Sequence, residues 1–411
     1  MISTHDRDIL RQAARRVAEM AALPIQAERR ELWKQHNSLK PVRPLILLFP
    51  EGAWEELLTG ADLACEGEAA RAIEWTLRSR IYTFEHFQDD TVVENEWVVH
   101  KMIHSTGWGL EPQHIPSTEA RGAWKFDPVI HTPEDLKKLH FPKITYDEKA
   151  SAQELEQAHD LFDGILEVKP KGVAHIGFGL WAQYTDLRGL EEGMMDMLDQ
   201  PQMVHDAMAF FEAGFQHLLQ QYIGLNLLSL NNDSTYHSSG GNGYTDELPA
   251  PGFDPNRVRL CDMWASAQSQ ELAQVGPRQH AEFATAYEKR LLEPFGLTGY
   301  GCCEDLSKKL DAVLTIPHIR RISISPFADV DVSARKLQGR AIFSWKPHPS
   351  HLVGDFDEDL VRGYIRHTLE VTQANGCVLE MILKDTHTCQ HHPERFDRWA
   401  QIAREEINRI Y

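Results

Sequence analysis

The chain has 411 residues, with 42 Lys+Arg against 61 Asp+Glu, a formal charge of −19. Hydrophobic residues are 42 % and charged residues 25 %, an ordinary globular mix that argues against long disorder. The acidic balance argues against sequence-independent nucleic-acid binding, which needs a basic face, but leaves room for a local Lys or Arg cluster that holds an acidic substrate.

Met1 to Arg16 lacks the apolar core of a signal peptide. The longest apolar run, Leu45 to Pro50, is too short to span a bilayer. A cytoplasmic protein is the expectation. Six cysteines (Cys65, Cys261, Cys302, Cys303, Cys377 and Cys389) in a chain this long are not a disulfide framework.

Asp6 to Asn37 reads as helix, because Ile9, Ala13, Val17 and Met20 recur near helical spacing. The Pro-bounded run around Leu45 to Phe49 reads as a fully buried strand. Glu68 to Phe87 is an amphipathic helix, and a weaker strand lies near Val93. Residues 104–140 are irregular, except for a helix start where Thr132 caps and Pro133 takes the first position. Val173 to Gly179 is a strand, followed by helices over Leu190 to Asp199 and Met203 to Tyr222. Leu225 to Leu230 is a strand, and Ser234 to Gly243 is a polar Ser/Gly loop. Helix is expected over Asp262 to Leu272 and Arg278 to Leu292. Four strand–helix units complete the chain, with strands at Thr298 to Cys303, Arg321 to Ser325, Ala341 to Trp345 and Val378 to Leu383.

That alternation gives eight strands, near 45, 93, 174, 226, 299, 322, 342 and 379, with helices outside them. Eight units are the number that closes a (β/α)8 TIM barrel; an open doubly wound sheet is the competitor. The expected division is a helical extension over 1–40 and an α/β barrel over 41–411.

In such a barrel the chemistry sits at the C-terminal strand ends. Those ends supply Asp233, Glu304 and Asp385 as candidate catalytic carboxylates. Phe178, His237, Lys346 and Lys384 are candidate substrate contacts, the two lysines suiting a carboxylate-bearing substrate. Cys302 and Cys303 are candidate metal ligands, since paired thiolates suit zinc. The competing readings are a helix cap for Glu304, ion pairing among the lysines and acids, and plain packing for the cysteines. Adjacent strand residues point to opposite sides, so both thiols can meet one ion only if the strand has ended.

Several segments resemble the uroporphyrinogen decarboxylase superfamily. They are Gly177-Phe-Gly-Leu-Trp-Ala-Gln-Tyr-Thr-Asp-Leu-Arg-Gly189, the helix and Gln200-Pro201 after it, Tyr300-Gly-Cys-Cys-Glu304, and the region of Gly376 and Phe396 to Trp399. The resemblance implies a (β/α)8 barrel with one of two chemistries. One is methyl transfer between a small molecule and a corrinoid protein, with zinc held by His or Glu and Cys. The other is metal-free decarboxylation of a carboxylated substrate. It further implies a homodimer and a corrinoid on the partner protein. Methyl transfer is the first reading; the lyase and a non-catalytic ligand-binding barrel are the alternatives. Two departures are visible. No Arg-rich decarboxylase signature stands over Ala27 to Trp33 or Pro41 to Pro44, and Tyr300 or Gly301 stands where the methyltransferase's ligating His would be.

Overall fold

The computed structural model describes residues 2–119, 122–237 and 240–411. Met1, Ala120 and Arg121, together with Ser238 and Ser239 of the expected Ser/Gly loop, lie outside the described residues.

The central element is a parallel seven-stranded sheet. Its strands are β1 (Leu45–Leu48), β2 (Gly177–Phe178), β3 (Trp264–Ala267), β4 (Leu297–Tyr300), β5 (Ile319–Ile324), β6 (Ile342–Trp345) and β7 (Val378–Leu383). Their spatial order is β1-β7-β6-β5-β4-β3-β2. The first strand pairs with the last and every other neighbour is sequential. That is the order of a cylinder cut between β1 and β2, without the reversal that defines a doubly wound sheet.

Three expectations need correction. Asp262 to Leu272 is not a helix but carries β3. The segment near Val93 and the one over Leu225 to Leu230 do not join the sheet: Leu228 makes only an isolated bridge to Val173, and Glu96–His100 pairs with Glu167–Lys171 in a separate two-stranded ladder. The physical reason is visible at both sites. Beside β1, side chains replace a strand: Asp90 accepts from the Ile46 N–H at 2.8 Å and Asp89 from the Leu48 N–H at 3.0 Å. Near β3, the buried Asn231 carboxamide bonds Ala174 and both backbone groups of Trp264, at 2.7 to 2.9 Å. Buried backbone groups must be paired, and here carboxylates and an amide pair them.

Asp90 also holds Arg43 and Arg404, at 2.7 and 2.8 Å. Asp90→Asn keeps the shape but leaves two guanidinium groups without their anion. It is expected to lower stability by about 2–3 kcal/mol in denaturant unfolding.

Both faces of the sheet are buried, as its apolar runs require. Residues alternate between the faces. Ile46, Leu48, Phe343, Leu379, Met381 and Leu383 join the main core under the helices, among them Glu358–Ala374 and Glu394–Ile410. Leu45, Leu47 and Ile382 face the other way and pack with Trp33, Val92 and Tyr244. Trp33 lies on the helix Pro24–Asn37; the expected N-terminal helix is broken into Thr4–Ala21 and this second piece.

The inward face is polar further along. Arg321 and Glu380, both wholly buried, pair at 2.9 Å, and Arg321 also donates to Asn37 at 2.7 Å. The Gly-rich segment runs against this face. A side chain at Gly241 would collide with the Arg321 guanidinium, and one at Gly240 with Ile382. Asn37 donates to the carbonyls of Asn242 and Tyr244, tying helix to loop. Among the described residues, no helix is long and apolar enough to cross a membrane.

Candidate functional site

The loops after β2, β3, β4 and β7 surround a cavity of about 470 Å³. Its lining includes His175, Tyr236, Ser266, Gln268, Cys302 and Lys384. A larger cleft of about 700 Å³ lies between the helices Glu68–Tyr82 and Glu148–Phe162. It is lined largely by apolar groups such as Ile73, Trp97 and Phe162, and its Asp6 is taken up by the N–H groups of Glu66 and Gly67. The smaller cavity lies at the ends of β2, β3, β4 and β7, where Cys302 and Lys384 meet.

The two cysteines come together because the strand stops. β4 ends at Tyr300, whose side chain points to the helices and donates to Glu288 at 2.6 Å. Gly301 then takes φ +96, a left-handed conformation that favours glycine. The turn releases the chain from strand alternation, and the Sγ atoms of Cys302 and Cys303 stand 3.5 Å apart. Glu304 fixes this turn from below, accepting from the Cys302 N–H at 2.8 Å and the Ser269 N–H at 3.3 Å. It is fully buried, and burial holds its carboxyl above the ordinary range. Glu304 thus braces the turn that carries the thiols.

Asp385 follows β7 in the left-handed region (φ +58), a conformation that Asp tolerates better than most residues. Its carboxylate lies 3.4 Å from the Lys384 ammonium and 4.0 Å from Cys303 Sγ. Burial works against the Lys384 charge. Tyr236, Cys302, Asp385 and Glu51 outweigh it and hold the ammonium above its ordinary value. The Lys384 ammonium faces the cavity. Cys303 is pushed well up by its hydrogen bond with Cys302 and by burial, and stays a neutral thiol.

Lys346 sits deeper. It is 2 % exposed and donates to the Ser344 carbonyl at 3.0 Å and its hydroxyl at 2.7 Å. Burial brings it down to about 7, with Lys384 and Arg321 pushing the same way and Glu380 opposing. Between pH 7 and 10.5 the unfolded chain holds this proton more tightly than the folded one, so Lys346 makes stability rise with pH across that window. Lys346→Met removes the effect. The variant's stability relative to wild type is expected to grow by up to about 1.4 kcal/mol per pH unit as pH falls from 10 to 7, then level off. Denaturant unfolding across that range checks it.

The other sequence candidates fall elsewhere. Asp233 pairs with Lys171 at 2.6 Å and lines a different cleft with Glu96, Lys169 and Phe253. The His237 ring bonds the Asn231 carbonyl at 2.8 Å and stacks on Trp264, and burial drives it down to about 3. It is a buried group outside the lining of the 470 Å³ cavity. Phe178 borders the cavity, but its ring packs on Phe215 and Phe295 and is 2 % exposed.

Reading the sequence missed His175, Ser266 and Gln268. His175 had a signal: Ala174, Ile176 and Phe178 are the apolar parity of that strand, so His175 and Gly177 take the opposite face. Ser266 and Gln268 had little, because Ala-Ser-Ala-Gln carries no β-branched residue. Glu271, one turn beyond, was also missed; burial, together with Glu304, Cys302 and Asp186, raises it to about 7.

A catalytic zinc takes three protein ligands and an open position. Among the described residues, no group of three or more His, Cys, Asp and Glu is placed to hold a metal ion. The two thiols and a carboxylate 4.0 Å from one of them do not fit that set.

No protein-family model matches the chain, and no curated protein matches it. Among solved structures, it is similar to a methyltransferase from Methanosarcina mazei, at 11 % identity and a TM-score of 0.49, over 92 % of this chain and 97 % of that one. A likeness at that level carries no weight for chemistry, which has to come from the site itself.

Proposed function

We propose that the chain is a methyltransferase on a (β/α)8-type barrel, acting on a small anionic molecule in the 470 Å³ cavity. The observation that carries the reading is convergence: Lys384, His175, Tyr236 and Cys302, from distant segments, line one cavity at the strand ends. Lys384 holds the anionic group of the substrate. Asp385 keeps that ammonium from swinging away. Gln268 and His175 orient the rest of the molecule, and the Phe49–Tyr236 edge contact, at 5.4 Å, excludes water on one side. A corrinoid on a partner protein would be the source or the acceptor of the methyl group. Phe327, 70 % exposed in the loop after β5 and edge-on to His348, offers that partner an apolar contact on the same end of the sheet.

The assay is spectral. The metal-depleted chain is mixed with methylcobalamin and a panel of small anionic thiols, and cob(I)alamin formation is followed. The thiolate attacks the methyl carbon, the carbon–cobalt bond breaks, and its electron pair stays on cobalt. Turnover above the chain-free rate supports the reading.

A second reading has an observation of its own. A cavity with the Lys384 ammonium in its wall, and no three-ligand metal set among the described residues, suits metal-free decarboxylation. It predicts carbon dioxide release from a carboxylated substrate, unaffected by chelators, and no cobalamin chemistry.

A further inference from the structure

The thiol pair has a chemistry independent of methyl transfer. We propose that Cys302 and Cys303 form a dithiol site for a trivalent, singly substituted arsenical, an electrophile that is satisfied by two sulfurs.

Three observations lead there. First, the sulfurs are 3.5 Å apart on adjacent residues, held in that turn by Glu304 on the Cys302 N–H and by the Ser323 hydroxyl on the Cys302 carbonyl at 2.8 Å. The pair is thus preorganised, which lowers the entropy lost on binding. Secondly, the alternatives for two thiols fit poorly. A disulfide favours Cα atoms about 4.4–6.8 Å apart, whereas consecutive Cα atoms stand about 3.8 Å apart, so direct closure is strained. Zinc needs further ligands that the described residues do not assemble. An atom inserted between the sulfurs lets them stay near their present separation and needs no third protein ligand. Thirdly, there is room for the substituent. Cys302 lines the 470 Å³ cavity, and Cys303 is partly exposed beside Asp385.

The reaction balances without an oxidant. An arsonous acid, R–As(OH)2, exchanges its two arsenic–oxygen bonds for two arsenic–sulfur bonds. Each thiol proton leaves with one hydroxyl as water. Arsenic stays trivalent and the sulfurs stay reduced.

The probe is phenylarsine oxide, read by intact mass and by thiol titration of the folded chain. One adduct per chain is expected, with two thiols withdrawn from titration and protease mapping to the peptide that contains both cysteines. Cys302→Ser and Cys303→Ser are each expected to weaken binding by at least about 100-fold, because a two-point attachment becomes one-point. Cys261→Ser should leave binding unchanged. Binding that survives either single variant overturns the proposal, as does an adduct mapped to another cysteine. So does one zinc per chain that blocks the arsenical and is lost in both variants. If a variant fails to fold, the mapped wild-type adduct decides alone. Methyl-transfer activity is not part of the readout, so this proposal and that reading can fail separately.

Discussion

Glu380→Ala is expected to destabilise the chain by about 3–5 kcal/mol, the largest stability effect anticipated from any single change here. Glu380 is fully buried on the inward face of β7, level with Leu45 on one side and Ser344 on the other. Removing it strands the Arg321 guanidinium, which already has one buried nitrogen without a partner, in the low-dielectric interior. His36, 3.8 Å away, and Lys346 lose the same anion. The partner change sharpens the test. Replacing both members of the pair, Arg321→Met with Glu380→Met, removes the stranded charge and is expected to recover most of the loss. A double variant as unstable as the sum of the singles would mean that the pair is not the unit that matters.

Lys384→Met is expected to raise KM for the anionic substrate by roughly 30- to 150-fold, the loss of one charged contact worth about 2–3 kcal/mol. The ammonium is the charged donor among the lining residues, and it is held above its ordinary value by Tyr236, Cys302, Asp385 and Glu51. Lys384→Arg keeps the charge and should recover part of the effect, although a planar guanidinium will not reproduce an ammonium's geometry. Asp385→Asn should do less, because the Glu51 carboxyl remains beside the lysine. Steady-state kinetics across these three variants separates binding from chemistry: a fall in kcat with KM unchanged would place Lys384 in the reaction step instead.

The β strands were legible where they are continuous apolar runs. Leu45 to Leu48 is such a run; the strands expected at Arg321 to Ser325, Ala341 to Trp345 and Val378 to Leu383 stand within two residues of their places although Arg321, Ser344 and Glu380 interrupt them. β3 was not legible, because Trp264-Ala-Ser-Ala has helix-like composition and becomes a strand only through its neighbours β2 and β4. The strand near Val93 failed for the opposite reason. Its apolar pair is real, but Asp89 and Asp90 just before it supply the hydrogen bonds that a strand would have made to β1. At the site, Lys384 and Asp385 could be named from their place after a strand, and Cys302 and Cys303 from the end of the expected strand Thr298 to Cys303. The meeting of the two thiols depended on Gly301 turning the chain, which strand alternation alone argues against. After Asn231, Asp233 points to another cleft and pairs with Lys171, while the His237 ring turns onto the Asn231 carbonyl and Trp264.

One cavity, with Lys384 and Cys302 in its wall, is proposed as the place where a methyl group changes hands. The most direct measurement is cob(I)alamin formation from methylcobalamin by the metal-depleted wild-type chain beside the Lys384→Met variant. Turnover that saturates with an anionic thiol is expected in the first, and saturation only at far higher thiol concentration in the second. Carbon dioxide release with no change at cobalt, or equal saturation in both proteins, would contradict it.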